Sequence, residues 1–259
     1  MSTHKAVEKA LNILMVFTPH NQEIGTVELS EKMGLNKSTV SRLLHVLSRK
    51  GFLQQNPETK KFQLGPSAMT LGVAIKKSLE TNLVHIAKPY IDSLREELQE
   101  TITLEVFSGT HTVLTYFAEG PHRINLAGNI GDILTVHAAA GAKAILAFSS
   151  PRVRDRILNG KLPRLTPNTI TDPAMLERQF QNILRHGISF DKEEHDIGTN
   201  AMGTPIFNNS GKPVAALVVA GPSQRITLDI DSPMAVRLKE TALKISKQLY
   251  YKPHRPEKL

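Results

Sequence analysis

Apolar residues recur at helical spacing near the start of the chain. Over residues 5–17, Ala6, Ala10, Leu11, Ile13, Leu14 and Phe17 fall on one side of a predicted helix. Pro19, Asn21 and Gly25 break that pattern. Thr26 is a candidate cap for a short second helix, Val27 to Met33, which Gly34 ends. A third helix is predicted from about Lys37 to Lys50, where Gly51 stops it. Two short strands, 52–55 and 61–64, then flank the turn-prone Asn56-Pro57-Glu58-Thr59. Gly65-Pro66-Ser67 closes this region. A linker helix over 67–79 follows, with Met69, Leu71, Val73, Ala74 and Ile75 apolar.

Beyond it the pattern changes. Residues 83–98 form another amphipathic helix, and then the period drops to two. Ile102, Leu104 and Val106 alternate with Thr and Glu, and Val113, Leu114, Tyr116 and Phe117 make a second strand across the turn Ser108-Gly109-Thr110-His111. A strand at 133–136 runs into a small-residue helix, Ala138 to Phe148. Helices at 151–158 and 173–186, strands at 188–191, 201–207 and 214–220, and a last helix over about 233–250 complete the reading. Helices interleaved with antiparallel hairpins predict an α+β fold after residue 80. The expected domains are 1–65, a linker helix 66–80, and 81–259.

Composition narrows the chemistry. There is no Cys, which excludes a disulfide scaffold, thiolate catalysis and a cysteine zinc site. No apolar run approaches the ~18 residues of a membrane span, and Met1-Ser2-Thr3-His4-Lys5 lacks the apolar stretch of a signal peptide. A cytoplasmic protein is the expectation. The formal net charge is +8 and is unevenly placed: residues 1–77 hold eleven Lys/Arg against five Asp/Glu. Such an excess suits either a polyanionic partner or an ordinary solvated surface.

The third helix decides between them. Val40, Leu43, Leu44 and Leu47 lie at i, i+3, i+4 and i+7 and face a core. The remaining positions carry Lys37, Ser38, Thr39, Ser41, Arg42 and His45, side chains suited to phosphates and base edges. With the preceding helix and the Gly34 turn they complete a helix-turn-helix, whose second helix enters the major groove by its N-terminal half. Lys60 and Lys61, near the tip of the following hairpin, suit a wing on the DNA backbone. Double-stranded DNA is the predicted partner. No G-x-S-x-G elbow and no glycine-rich phosphate loop is present, so neither an enzyme nor a cofactor is expected.

At this point the chain resembles the IclR family of bacterial regulators. The N-terminal likeness rests on Ala10-Leu11-Asn12-Ile13-Leu14, Leu29-Ser30-Glu31-Lys32-Met33-Gly34-Leu35, Lys37 to Leu44, Gly51-Phe52-Leu53 and Phe62-Gln63-Leu64-Gly65. The C-terminal likeness rests on Gly141 to Ala147, Thr169-Ile170-Thr171, Gly187 to Glu194, Pro205-Ile206-Phe207 and Ala220-Gly221-Pro222. The resemblance implies a winged helix-turn-helix domain and a GAF-like effector-binding domain. It also implies a DNA-bound homodimer or tetramer and either repression or activation. The linker helix is expected to carry the effector's signal.

The resemblance further places a small-molecule effector against Ala140 and Gly141, with Asp191 at the family's acidic position and Met202 beside it. Where the family often has Cys this chain has Ala201, and two hydroxyl positions are Val218 and Ala220. With three polar contacts replaced by apolar ones, a carboxylic acid of apolar or aromatic character is expected rather than a small oxo-acid. Plain strand packing is the other reading of Val218 and Ala220. Glu193, Glu194, His195 and Asp196 form a polar cluster whose spacing fits no defined metal motif, so no metal is assigned.

Overall fold

The computed structural model describes residues 3–18, 21–72, 83–109 and 111–252, and it divides into two compact units, 1–80 and 81–259.

The first unit holds α1 (Thr3–Val16), α2 (Thr26–Met33) and α3 (Lys37–Arg49), then the strands β1 (Leu53–Gln55) and β2 (Phe62–Leu64). Ile13, Phe17, Leu29, Val40, Leu44 and Leu53 form its core, from the same positions whose periodicity predicted the helices. The α2–α3 turn is tight because Gly34 adopts φ 60°, a left-handed conformation open to glycine at little cost. Ser30 Oγ bonds the Leu35 carbonyl across it. Thr26 does not cap α2. It lies inside the first turn, and Gly25 is the cap, with no side-chain hydrogen bond. β1 and β2 pair antiparallel, and Ile24 bridges to Phe62 as a short third strand. Helical backbone resumes from 66 to 72 with Met69 and Leu71 exposed. The rest of the expected linker helix lies outside the described residues.

The second unit starts with α4 (Leu83–Leu98), then β3 (Thr101–Phe107), β4 (Thr112–Ala118) and β5 (Ile133–Leu134). Next come α5 (Ala140–Ala147), α6 (Pro151–Leu158) and α7 (Pro173–His186). β6 (Ser189–Lys192), β7 (Thr199–Phe207), β8 (Pro213–Pro222) and α8 (Pro233–Gln248) complete it. The six strands form one antiparallel sheet ordered β5-β4-β3-β8-β7-β6. Both of its faces are covered. Ile102, Leu104, Met202, Leu217 and Val219 pack with residues of α4 and α8 on one side. Ala201, Ala216, Val218 and Ala220 pack with Ala140, Ala144 and Ile145 of α5 on the other.

α5 lies unusually close to the sheet. All eight of its residues are buried, including Lys143. A Cβ on Gly203 would stand 2.7 Å from the Ala140 carbonyl carbon and 2.8 Å from the Gly141 nitrogen, so only glycine admits the helix there. Ser189 Oγ fastens the same turn by donating to the Ala140 carbonyl at 2.5 Å. Gly203→Ala is therefore expected to cost about 1–3 kcal/mol, the usual range for overpacking against backbone. Urea denaturation measures it, and a change indistinguishable from zero would show that α5 can lift away freely.

Candidate nucleic-acid interface and ligand cavity

On α3 the helical period separates two functions. Val40, Leu44 and Leu47 are buried, while Lys37, Ser38, Ser41, Arg42 and His45 are exposed and Thr39 is half-buried. No acidic residue stands in the first turn of α3. Its N-terminal end thus presents hydroxyls, positive side chains and the positive end of the helix dipole together, the combination that receives phosphate and base edges. Among the described residues Arg42 bonds only the Ser38 carbonyl of its own helix, at 3.4 Å.

The hairpin after it is built to hold its tip rigid. Asn56 Oδ1 accepts the amides of Glu58 and Thr59, and Lys60 takes φ 58° to complete the turn. Glu23 ties that tip back to the body by accepting from Asn56 Nδ2 at 2.6 Å and Thr59 Oγ1 at 2.9 Å. These bonds hold its carboxyl below the ordinary carboxylate range. Lys60 and Lys61 stay exposed beside it.

The second unit holds a cavity of about 120 Å³ between the α5 face of the sheet and the segment 126–134. Strand alternation decides which residues reach it. β6 sends Asp191, β7 sends Ala201 and Thr199, β8 sends Val218 and Ala220, and β3 sends Thr103 and Glu105. Leu114 and Phe117 of β4 close one wall, and Ala139 and Ala140 at the start of α5 close another. The register explains the grouping: Asp191 pairs with Ala201 and Ala201 with Ala220, so all three share a face.

Of the residues the resemblance selected, Ala140, Asp191, Ala201, Val218 and Ala220 line this cavity together. Gly141 sits directly behind them, packed against Glu105 and Val218. Met202 does not join them. As the next residue along β7 it points to the opposite face and packs in the α4–α8 core.

Asp191 serves the loop as well as the cavity. One oxygen accepts the amides of Glu194 at 2.7 Å and His195 at 3.2 Å. Burial pushes its carboxyl up to about 6, against the opposing pull of Lys143 and those two bonds. Lys143, fully buried, donates to Glu194 Oε1 at 2.6 Å, and burial draws its ammonium below the ordinary lysine value. The polar cluster at 193–196 therefore does not converge: Glu194 turns inward to Lys143, while Asp196 stays exposed on His195 Nδ1. Among the described residues no three such side chains meet in a metal-binding arrangement. His137 is buried, its Nε2 hydrogen-bonded to the Pro163 carbonyl at 2.9 Å.

Glu105 is the functional candidate that sequence reading missed. Its place in an alternating strand marks it as one of a polar row, and nothing in that row says that a helix covers it. It is 3% exposed, accepts from Thr112 Oγ1 at 3.2 Å, and lines the cavity. Burial raises its carboxyl from an ordinary 4.5 to about 8; the Thr112 bond works against this and the Asp191 charge adds to it. Between those two values the native state holds a proton that the unfolded chain has released, so stability falls as pH rises. Asp191 adds a loss of the same sign at lower pH, from 3.8 to about 6. Glu105→Gln removes the first contribution. The melting temperature of the variant is expected to gain on the native protein steadily from about pH 5 to pH 8. A gap that stays constant over that range would show that Glu105 ionises normally.

Comparison with known proteins agrees for both units. Residues 6–57 match the IclR helix-turn-helix domain, and residues 76–247 match the C-terminal domain of the bacterial transcriptional regulator IclR. The chain is 30% identical over 228 residues to the transcriptional repressor IclR of Escherichia coli K12, covering 87% of this chain and 82% of that protein. An IclR transcriptional regulator from Silicibacter sp. TM1040 superposes with a TM-score of 0.83 at 27% identity, over 97% of this chain and 98% of that one. An IclR homologue from Microbacterium hydrocarbonoxydans, solved in complex with 4-hydroxybenzoate, shares the fold at 23% identity. Its TM-score is 0.73, over 95% of this chain and 99% of that one. With both of its units matched and most of its length aligned, the chain belongs to the IclR family of bacterial transcriptional regulators.

Proposed function

We propose that this DNA-binding regulator reads a specific operator through α3 and the β1–β2 hairpin, and that a small molecule seated in the α5 cavity modulates that binding. The observation that carries the first half is the exposed face of α3. Lys37, Ser38, Ser41, Arg42 and His45 stand free on the side opposite Val40, Leu44 and Leu47. Lys60 and Lys61 extend the same positive character to the wing. Recognition of two half-sites asks for a homodimer or tetramer. Exposed Val7, Leu11 and Met15, spaced four apart along α1, support that reading.

The cavity supports the second half. Its walls are mainly apolar, and it has a few fixed polar groups, the usual make-up of a small-molecule site. That the Microbacterium homologue was solved in complex with 4-hydroxybenzoate supports a ligand of this kind. An apolar or aromatic body for the effector thus remains the reading. The ligand of that homologue, an aromatic carboxylic acid, supports a carboxylic acid end as well, and His195 is the basic side chain of the lining here. A bound effector acts by its unequal affinity for two arrangements of the protein, a coupling of about 1–3 kcal/mol in typical regulators.

Two experiments test these halves. Arg42→Ala is expected to weaken operator binding about tenfold or more in gel shifts, with an unchanged melting temperature and a shallower dependence of log K on log salt. The same preparation should sediment with at least twice the mass of one chain. Equal operator affinity in the variant would remove Arg42 from the interface. Separately, Ala220→Trp fills the cavity from β8. This variant is expected to bind operator as the native protein does while losing its response to effector, and a normal response would move the effector site elsewhere.

A further inference from the structure

A negative charge beside DNA opposes binding, because phosphates repel it. The hairpin that carries Lys60 and Lys61 nevertheless has such a charge attached to it. Glu23 lies outside the hairpin, just before α2, and its carboxylate accepts from Asn56 Nδ2 at 2.6 Å and Thr59 Oγ1 at 2.9 Å. Both donors are neutral, so these bonds leave the charge in place. They hold the carboxyl below the ordinary carboxylate range, and Lys61 adds a weaker pull in the same direction.

What the carboxylate does for the hairpin is visible in the bonds around it. β1 and β2 have three residues each, and a two-stranded ribbon of that size is marginal by itself. The segment 21–24 braces it along its length. At the base, Asn21 Oδ1 accepts the Leu64 amide at 2.7 Å. In the middle, Ile24 and Phe62 exchange both backbone hydrogen bonds, each at 2.9 Å. Glu23 holds the turn itself. Asn56 is the joint there: its Oδ1 accepts the amides of Glu58 and Thr59, its carbonyl accepts the Lys60 amide at 3.0 Å, and its Nδ2 is fixed by Glu23. A bond from an amide to a carboxylate is stronger than one to a neutral acceptor, which is a reason for an acid at this place. Lys60 and Lys61 follow the joint directly, and both are exposed.

We propose that Glu23 is a positioning residue for DNA binding: its carboxylate fixes the β1–β2 turn and so places Lys60 and Lys61 on the phosphate backbone. This rests on the reading of the hairpin as a wing that touches DNA. Position and charge predict opposite results when the side chain is removed. Loss of a misplaced charge strengthens binding, whereas loss of the anchor weakens it.

The probe for the test is a DNA duplex selected by the native full-length protein from a random-sequence pool. Glu23→Ala removes charge and anchor together. Its affinity is expected to fall about fivefold, and its slope of log K against log salt to shrink by about 1–2, the share of the two lysines. Glu23→Gln removes the charge but can still accept from Asn56 and donate to Thr59, so its affinity is expected to stay within about twofold of native. Thr59→Val, at an exposed site, removes one of the two anchor bonds and is expected to give an intermediate loss. In a protein that already carries Lys60→Ala and Lys61→Ala, Glu23→Ala is expected to cost nothing further. Equal or tighter binding by Glu23→Ala overturns the proposal, and so does an undiminished loss in the lysine-free background. Both of those outcomes leave the wing as a DNA contact. If Glu23→Ala does not fold, Thr59→Val decides by the same two criteria. Native affinity in the double lysine variant takes the hairpin off the DNA and overturns the wing reading together with this proposal.

Discussion

The second unit depends on how closely the first turn of α5 lies on the sheet. Gly203 and Gly141 remove the two side chains that would hold the layers apart, and the small residues Ala140, Ala144, Ala201, Ala216 and Ala220 line the rest of the contact. Close approach of a helix to a sheet buries polar backbone as well as apolar surface, so the turn must find partners. Ser189 supplies one by donating to the Ala140 carbonyl. The layers then diverge toward β4 and the segment 126–134, and the cavity is the space that opens where they part. Its floor is set by side chains too small to fill it, its far wall by Leu114 and Phe117.

The same burial forces an unusual arrangement of charge. An ammonium sealed in a helix–sheet contact is costly unless paired. Lys143 is paired with Glu194, whose backbone amide is in turn held by Asp191. Thr166 and Thr169 accept neither role but donate to the carbonyls of Glu193 and Glu194, fixing the loop that carries them. Removing any one member leaves a buried group without its partner. The chain therefore presents Asp191 to the cavity at a fixed place, and that placement follows from support of Lys143 and the 193–195 turn.

The first unit solves a simpler problem with a small core. Ile13, Phe17, Leu29, Val40 and Leu44 consume one stripe of each helix, leaving the remainder of α3 with no packing duty. Polar groups there are free to serve a partner without loss to the fold. Glu23, Asn56 and Thr59 anchor the hairpin tip beside the exposed Lys60 and Lys61.

Much of this was legible in the order of residues. Periodicity of 3.6 found α1, α3 and α4, because each presents one apolar stripe to one core; period two led to β3 and β4. Gly34 and Gly187 marked helix ends because both adopt positive φ, at 60° and 69°. The resemblance brought Ala140, Asp191, Ala201, Val218 and Ala220 to one place. Met202 shows its limit, since a neighbour in sequence on a strand is on the opposite face in space. Thr26 shows another: whether a hydroxyl caps a helix depends on where the first turn begins, by one residue. Glu105 shows the largest. Alternation tells that β3 has two faces, but a polar residue on the second face reads the same under water or under a helix. Only the sheet order, which puts β3 inside, and the glycines that let α5 settle on it determine that this carboxyl is buried, pushed up to about 8 and turned toward the cavity. Local pattern fixes which surface a residue shares with its neighbours; what covers that surface is decided by elements far away in the chain.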